Sequence, residues 1–119
     1  VVPLSPAVPW HQARDFAQAV ADAAREAEPL RYVATASKRL RKGKIFIDWL
    51  RNGRGATSVA SFSARARRGA PVAMPLRWEE LGRVVGGDAY DIRNTPARLK
   101  RLKSHPWHGM EALRQSLPE

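Results

Sequence analysis

Cysteine is absent from this chain of 119 residues. That excludes disulfides, thiolate zinc sites and cysteine nucleophiles, and it leaves the compartment to be argued from other features. Long apolar runs are absent as well. None approaches the ~20 residues that span a bilayer, and no charged-then-apolar signal peptide leads the chain, so no membrane partner is expected and the cytoplasm is the expected location. Histidine is scarce, with His11, His105 and His108 alone. His11 stands in the first turn of an amphipathic segment. His105 and His108 flank "PW" with no third ligand beside them, so neither a zinc site nor histidine catalysis is expected.

Acidic residues are few. The chain has 11 Asp plus Glu against 21 Lys plus Arg, a formal net charge of +10. Polyanions are therefore the favoured partners: nucleic acid, nucleotides or an anionic surface. At 44% hydrophobic and 27% charged residues the composition is that of a globular chain, not a disordered one. The chain begins at Val1 on "VVPL", which reads as a strand already under way, so residues upstream are expected.

The segment from Trp10 to Ala27 is Ala-rich and helical, with Phe16, Val20, Ala23, Ala24 and Ala27 at three- and four-residue spacings on one face, and Pro29 ends it. A short strand around Tyr32 to Ala34 leads into a basic loop containing Lys38, Arg39, Arg41, Lys42 and Lys44, the densest run of positive charge in the chain. Lys44 to Leu50 reads as a strand rich in β-branched and aromatic residues. Asn52-Gly53 then signals a hairpin that would set residues 56–62 antiparallel to that strand. "SARARRGAP" is a second basic loop, "VAMPL" a short strand, and "RWEELGRVV" a helix with Trp78, Leu81 and Val84 or Val85 inward. Thr95 as N-cap with Pro96 behind it opens a final basic helix reaching about Lys103. The expected fold class is α+β, a mixed and mainly antiparallel sheet flanked by helices, with no internal repeat. The four tryptophans read as packing or surface anchors; Trp10 and Trp78 each stand where a helix begins.

Asp48 is the residue that does not fit its surroundings. Strand alternation puts it on one face with Lys44, Phe46 and Leu50, and an ionised carboxylate among apolar neighbours needs a cation, a metal or strong donors. The residues leave two readings open: a structural salt bridge to one of the many arginines, or a divalent-metal ligand or general base. Arg51, Arg54, Arg65, Arg67 and Arg68 lie close in sequence to the Gly-flanked turn, and guanidinium groups bind phosphate oxygens in forked pairs. A carboxylate holding a metal, with arginines holding the phosphates that the metal bridges, is the arrangement phosphoryl transfer needs.

The block "RYVATASKRLRKGKIFIDWLRNGRGATSVASFSARARRGAPVAMPLRWEEL", followed by "DAYDIRNTPARL" and "PW", closely resembles the C-terminal half of the polymerase domain of bacterial DNA ligase D, a branch of the archaeo-eukaryotic primase superfamily. The resemblance runs over essentially the whole of residues 1–119. It implies half of a primase-polymerase fold and a DNA-repair nucleotidyltransferase of non-homologous end joining, adding ribo- or deoxyribonucleoside triphosphates to DNA ends with Mn2+ or Mg2+. It also implies Ku and a ligase module as partners. Asp48 matches the third metal-binding carboxylate of the family, and Arg51 and Arg65 match basic residues needed for activity, in contact with the nucleotide's phosphates. Lys38, Arg54 and Arg67 are further expected contacts to DNA or phosphate.

The sequence departs from the family in lacking the Asp-x-Asp pair and the Ser…Gly-Leu-His element that precede "VVPL". Glu26 and Glu28, two apart on a helix, point to different faces and cannot replace the pair. Ser61-Phe62 and Arg68 stand where the family often has Pro-Tyr and Pro, a change of loop stiffness more than of chemistry. These residues alone are therefore expected to be catalytically inert, and a half-sheet ending at Val1 is expected to be marginal or to self-associate. The alternative is a non-catalytic basic module that binds nucleic acid, with Asp48 merely salt-bridged.

Overall fold

The computed structural model of the protein describes residues 2–118, which form two compact units: residues 2–58 with 114–118, and residues 59–113. Helices and short strands are mixed in an α+β arrangement with little regular sheet. Among the described residues no helix is long and apolar enough to cross a membrane.

The first unit is organised by helix α1, Trp10–Ala27, with the bounds the periodicity implies. Its N-cap is Pro9, whose carbonyl accepts the Ala13 N–H at 3.2 Å. At the other end the Glu28 carbonyl accepts both the Arg31 and Tyr32 N–H groups at 3.0 Å and turns the chain past Pro29. The buried face differs from the expected one. Ala21 is 0% exposed and Ala13, Ala17 and Ala24 share its face half-buried, whereas Phe16 and Val20 lie exposed. Alanine wins because α1 packs on a two-residue strand and a 3-10 turn, and a methyl side chain allows these backbones a close approach.

Strand β1, Tyr32–Val33, pairs in parallel with β2, Ile45–Phe46, with Tyr32 opposite Ile45 and Val33 opposite Phe46. The ladder is held by Ile45 N–H to Arg31 O at 2.8 Å and Ile47 N–H to Val33 O at 3.0 Å. The crossover between the strands is the basic loop, wound into turns by Leu40 and Arg41 N–H groups on Ser37 O. Lys44 Nζ ties its end to Pro29 O at 2.7 Å.

The strand expected over 44–50 therefore stops at Phe46, and the hairpin at Asn52-Gly53 does not form. Residues 50–52 are a 3-10 helix, Leu50–Asn52, and Gly53 is extended at φ −106°. Local bonds account for the difference. The Asn52 Nδ2 group donates to Trp49 O at 3.0 Å, so the asparagine caps the preceding turn instead of adopting positive φ, and the tighter bend moves to Gly55 at φ +77°.

The antiparallel hairpin is in the second unit. Phe62 N–H donates to Ala73 O at 2.8 Å, Ala73 N–H to Ser63 O at 3.0 Å and Arg65 N–H to Pro71 O at 2.8 Å. Its tip is the basic run near Arg67, closed by Ala70 N–H to Arg67 O at 2.8 Å with Gly69 at φ +83°. A third segment joins through Val72 N–H to Tyr90 O at 2.8 Å, and Val72 is buried between them.

"WEELGR" forms a 3-10 helix, Trp78–Arg83, and most of the expected inward face is turned out: Trp78 is 85% exposed, Leu81 and Val85 are exposed too, and Val84 is half-buried. Glu80 faces inward instead. Helix α2, Thr95–Arg101, carries Arg98, which forks onto Glu80 with Nη1 to Oε1 at 2.6 Å and Nη2 to Oε2 at 3.0 Å. Arg98 also donates to Tyr90 Oη at 3.2 Å and Pro75 O at 3.2 Å, and its guanidinium lies 4.7 Å from the Tyr90 ring centroid. Residues three apart in a 3-10 helix share a face, so drawing Glu80 inward leaves Trp78 and Leu81 outside. The cap of α2 is Asn94 rather than Thr95, because the Asp91 Oδ1 atom collects the Arg93 and Asn94 N–H groups and Asn94 Oδ1 returns a bond to Asp91 N–H. The Arg93 side chain, followed by these backbone donors, holds the Asp91 carboxyl below its usual pKa.

The Arg98 fork, assisted by the Arg77 N–H, lowers the Glu80 pKa from 4.5 to about 2. A carboxyl depressed in the folded state contributes stability that is complete above the unfolded value near 4.5 and lost as pH falls from there towards 2. Urea unfolding followed at pH 7 and pH 3 is expected to show that Glu80→Gln costs about 1.5–3 kcal/mol at neutral pH and much less in acid. Enlarging the tightest α1 contact, Ala21→Leu, is expected to cost about 1–3 kcal/mol in the same assay, while Phe16→Ser changes stability little.

Candidate nucleotide- and DNA-phosphate site

Asp48 lies just past the end of β2, where alternation no longer applies. Its side chain is 37% exposed, so the expected burial among apolar residues is not met. Water reaches the carboxylate, and Arg51 Nε donates to Oδ2 at 3.3 Å. Both partners are well exposed, and such pairs contribute about 0–1 kcal/mol, too little to explain the pair as a fold-holding element. The Asp48 Oδ1 atom has no protein donor among the described residues, which leaves acceptor capacity for a cation.

Arg51 does a second thing. Its Nη1 donates to Thr57 O at 2.6 Å, closing the loop that follows the 3-10 helix. Of its five N–H donors, one lies on Asp48 and one on Thr57, and the rest are available to an anion. Arg54 stands exposed in that loop, and Lys38 stands exposed in the crossover between β1 and β2; neither side chain has an ion-pair or hydrogen-bond partner among the described residues.

The first unit thus brings Asp48 and Arg51 into contact and carries Lys38 and Arg54. Arg65 and Arg67 belong to the second unit. Arg65 is fixed in the hairpin by its N–H on Pro71 O and accepts the Arg67 N–H at 2.8 Å, which sets both residues at the basic tip. Their guanidinium groups are exposed and unpaired among the described residues.

Could these residues hold a divalent ion? Asp48 supplies one carboxylate. Among the described residues no three His, Cys, Asp or Glu side chains come together to bind a metal. Hard divalent cations take about six oxygen ligands, so the donor set fits one edge of a coordination shell and not a whole centre.

Sequence reading passed over one further group of residues in each unit. Trp49 Nε1 donates to Ala34 O at 2.9 Å, and Arg14 of α1 sits 5.2 Å over the Trp49 ring. In the second unit an open pocket of about 520 Å³ adjoins the Glu80–Arg98 fork, with Tyr90, Arg101 and Leu102 on its wall. No spacing rule links Arg14 to Trp49 or Glu80 to Arg98, since each pair is joined across the chain and not along one element.

The family described as LigD, primase-polymerase domain, matches residues 1–107. The multifunctional non-homologous end joining protein LigD of Pseudomonas aeruginosa is 41% identical over 118 residues, 98% of this chain and 14% of that protein. The bifunctional non-homologous end joining protein LigD of Bacillus subtilis is 28% identical over 101 residues, 84% of this chain and 16% of that protein. Among solved structures, the polymerase domain of Mycobacterium tuberculosis ligase D in complex with DNA superposes with a TM-score of 0.78 at 30% identity, covering 92% of this chain and 38% of that one. The chain therefore spans about a seventh of these curated relatives and well under half of the solved domain. With a family match over most of its length and a two-fifths-identical relative over nearly all of it, the chain belongs to the LigD primase-polymerase domain family of non-homologous end joining DNA repair.

Proposed function

We propose that these residues are the part of an end-joining polymerase that contributes one metal carboxylate and the triphosphate-binding arginines to metal-dependent addition of nucleotides at DNA ends. The observation that carries this reading is the exposed Asp48–Arg51 pair, a carboxylate with an uncommitted oxygen beside a guanidinium with uncommitted donors. An acceptor for a cation next to donors for an anion suits a metal–triphosphate complex. Asp48 serves as one ligand of Mn2+ or Mg2+, and the other ligands come from parts of a polymerase domain outside these residues. Arg51 and Arg65 hold the phosphates of an incoming ribo- or deoxyribonucleoside triphosphate. Lys38, Arg54 and Arg67, exposed and without acidic partners among the described residues, neutralise DNA or nucleotide phosphate. Ku and a ligase module are the protein partners proposed with this role.

A second reading has an observation of its own. Asp48 is already paired with Arg51, while Lys38, Arg54, Arg65 and Arg67 are unpaired among the described residues, as a non-catalytic binder of nucleic acid would also have them. The two readings differ in metal dependence. A polymerase part binds nucleoside triphosphate more tightly when Mn2+ is present, and Asp48→Ala removes that gain. A plain binder shows only an affinity that falls linearly with the logarithm of salt concentration, with Asp48→Ala neutral or tightening.

Calorimetric titration of the chain with triphosphate, with and without Mn2+, makes this comparison. Primer extension makes the stronger one. The 119 residues alone are expected to add no nucleotide. In a whole polymerase domain carrying them, Asp48→Ala is expected to lower extension by about a hundredfold or more. Arg51→Lys, which keeps the charge but loses the fork, should lower it about tenfold. Extension that survives Asp48→Ala would sink the catalytic reading.

A further inference from the structure

Beside the Asp48–Arg51 pair, Trp49 has each of its polar groups hydrogen-bonded. Its backbone N–H donates to Ile47 O at 3.2 Å. Its carbonyl accepts both the Asn52 N–H at 3.3 Å and Asn52 Nδ2 at 3.0 Å, which closes the 3-10 helix on which Arg51 rides. Its indole N–H reaches 15 residues back to Ala34 O at 2.9 Å, at the buried end of β1. Arg14 covers the ring from α1 at 5.2 Å. Asp48 directly precedes this residue and Arg51 follows it by two, so the backbone that carries both is pinned at a single point to the two elements behind it.

The chemistry of the pin suits positioning more than packing. A backbone carbonyl at the end of a two-residue strand accepts one directed bond, which an apolar ring of the same size would not make. The cation over the ring adds an attraction that biases the ring's orientation and is small beside the fold's total stability. The backbone at Trp49 is helical, at φ −81° and ψ −17°, and this turns the chain out of the β2 direction between the two functional residues.

We propose that Trp49, held by Ala34 O and Arg14, is a positioning residue for the nucleotide site: it sets the distance between the Asp48 carboxylate and the Arg51 guanidinium and thereby the fit of metal-bound triphosphate. The inference rests on the proposed roles of Asp48 and Arg51. Trp49 touches neither nucleotide nor metal.

The test uses Trp49→Phe, which deletes the indole N–H and keeps an aromatic ring. In the 119-residue chain, nuclear magnetic resonance reads the Arg51 Nε–H signal, assigned by its loss in Arg51→Lys. The signal is expected to move to the exposed-arginine position in Asp48→Asn and to move the same way in Trp49→Phe, with the thermal midpoint nearly unchanged. In a whole polymerase domain carrying the chain, Trp49→Phe is expected to lower kcat/KM for nucleotide about tenfold, with no further loss when combined with Arg51→Lys. If Trp49→Phe fails to fold, Arg14→Gln, which leaves the indole bond intact, is expected to shift the same signal by a smaller amount. An Arg51 signal unmoved by Trp49→Phe, or a loss that simply adds to that of Arg51→Lys, overturns the positioning role. Full extension in both Asp48→Ala and Arg51→Ala overturns the polymerase reading instead, and the resonance measurement still decides whether Trp49 sets the pair.

Discussion

Arginine–carboxylate pairing under a shortage of carboxylates is the constraint on which this molecule turns. With 21 basic and 11 acidic side chains, the cations outnumber the carboxylates that could pair with them. The most enclosed pair takes the best geometry: Arg98, 11% exposed, forks onto Glu80 and ties the 3-10 helix Trp78–Arg83 to α2. Asp91 and Arg93 organise the start of α2. Asp22 with Arg25, and Glu28 with Arg31, dress the exposed side and end of α1. Among the described residues the cations left without an ion pair include Lys38 in the crossover loop, Arg54 in the loop after the first 3-10 helix, and Arg65 and Arg67 at the hairpin tip, and these side chains are exposed.

The ion pairs are of two kinds. Removing one partner of a half-enclosed fork strands a charge in poor solvent, so Glu80 and Arg98 are structural. Asp48 and Arg51 are both open to water, and breaking their contact costs little. A contact that is inexpensive to exchange can give its carboxylate to a cation and its guanidinium to a phosphate. Exposure, which weakens the pair as a structural element, is what makes it suitable as a binding site.

Local hydrogen bonds decided where the chain turns. Asn52-Gly53 has hairpin composition, yet the Asn52 side chain bonds back to Trp49 O and Arg51 reaches forward to Thr57 O, so the segment coils into a 3-10 turn. The hairpin appears at the basic tip near Gly69, where no side chain competes for the backbone. The exposed apolar side chains, among them Phe16, Val20, Leu30 and Trp78, belong to a chain that spans 38% of the solved polymerase domain it resembles.

The sequence by itself determined the bounds of α1, the basic character of the crossover and hairpin tip, the α+β class and the family, because composition, 3.6-residue periodicity and a long specific motif block are properties of adjacent residues. It also placed Asp48 and Arg51 within one turn of each other, a spacing that the 3-10 helix converts into contact. Tertiary structure decided the rest. The face of α1 that is buried depends on how closely β1 approaches, which favours Ala21 over Phe16. The parallel pairing of β1 with β2, the inward turn of Glu80 and the seat of Trp49 between Ala34 and Arg14 each join residues far apart in the chain. Such partners carry no mark in the sequence, since their attraction exists only once the backbone has brought them within reach.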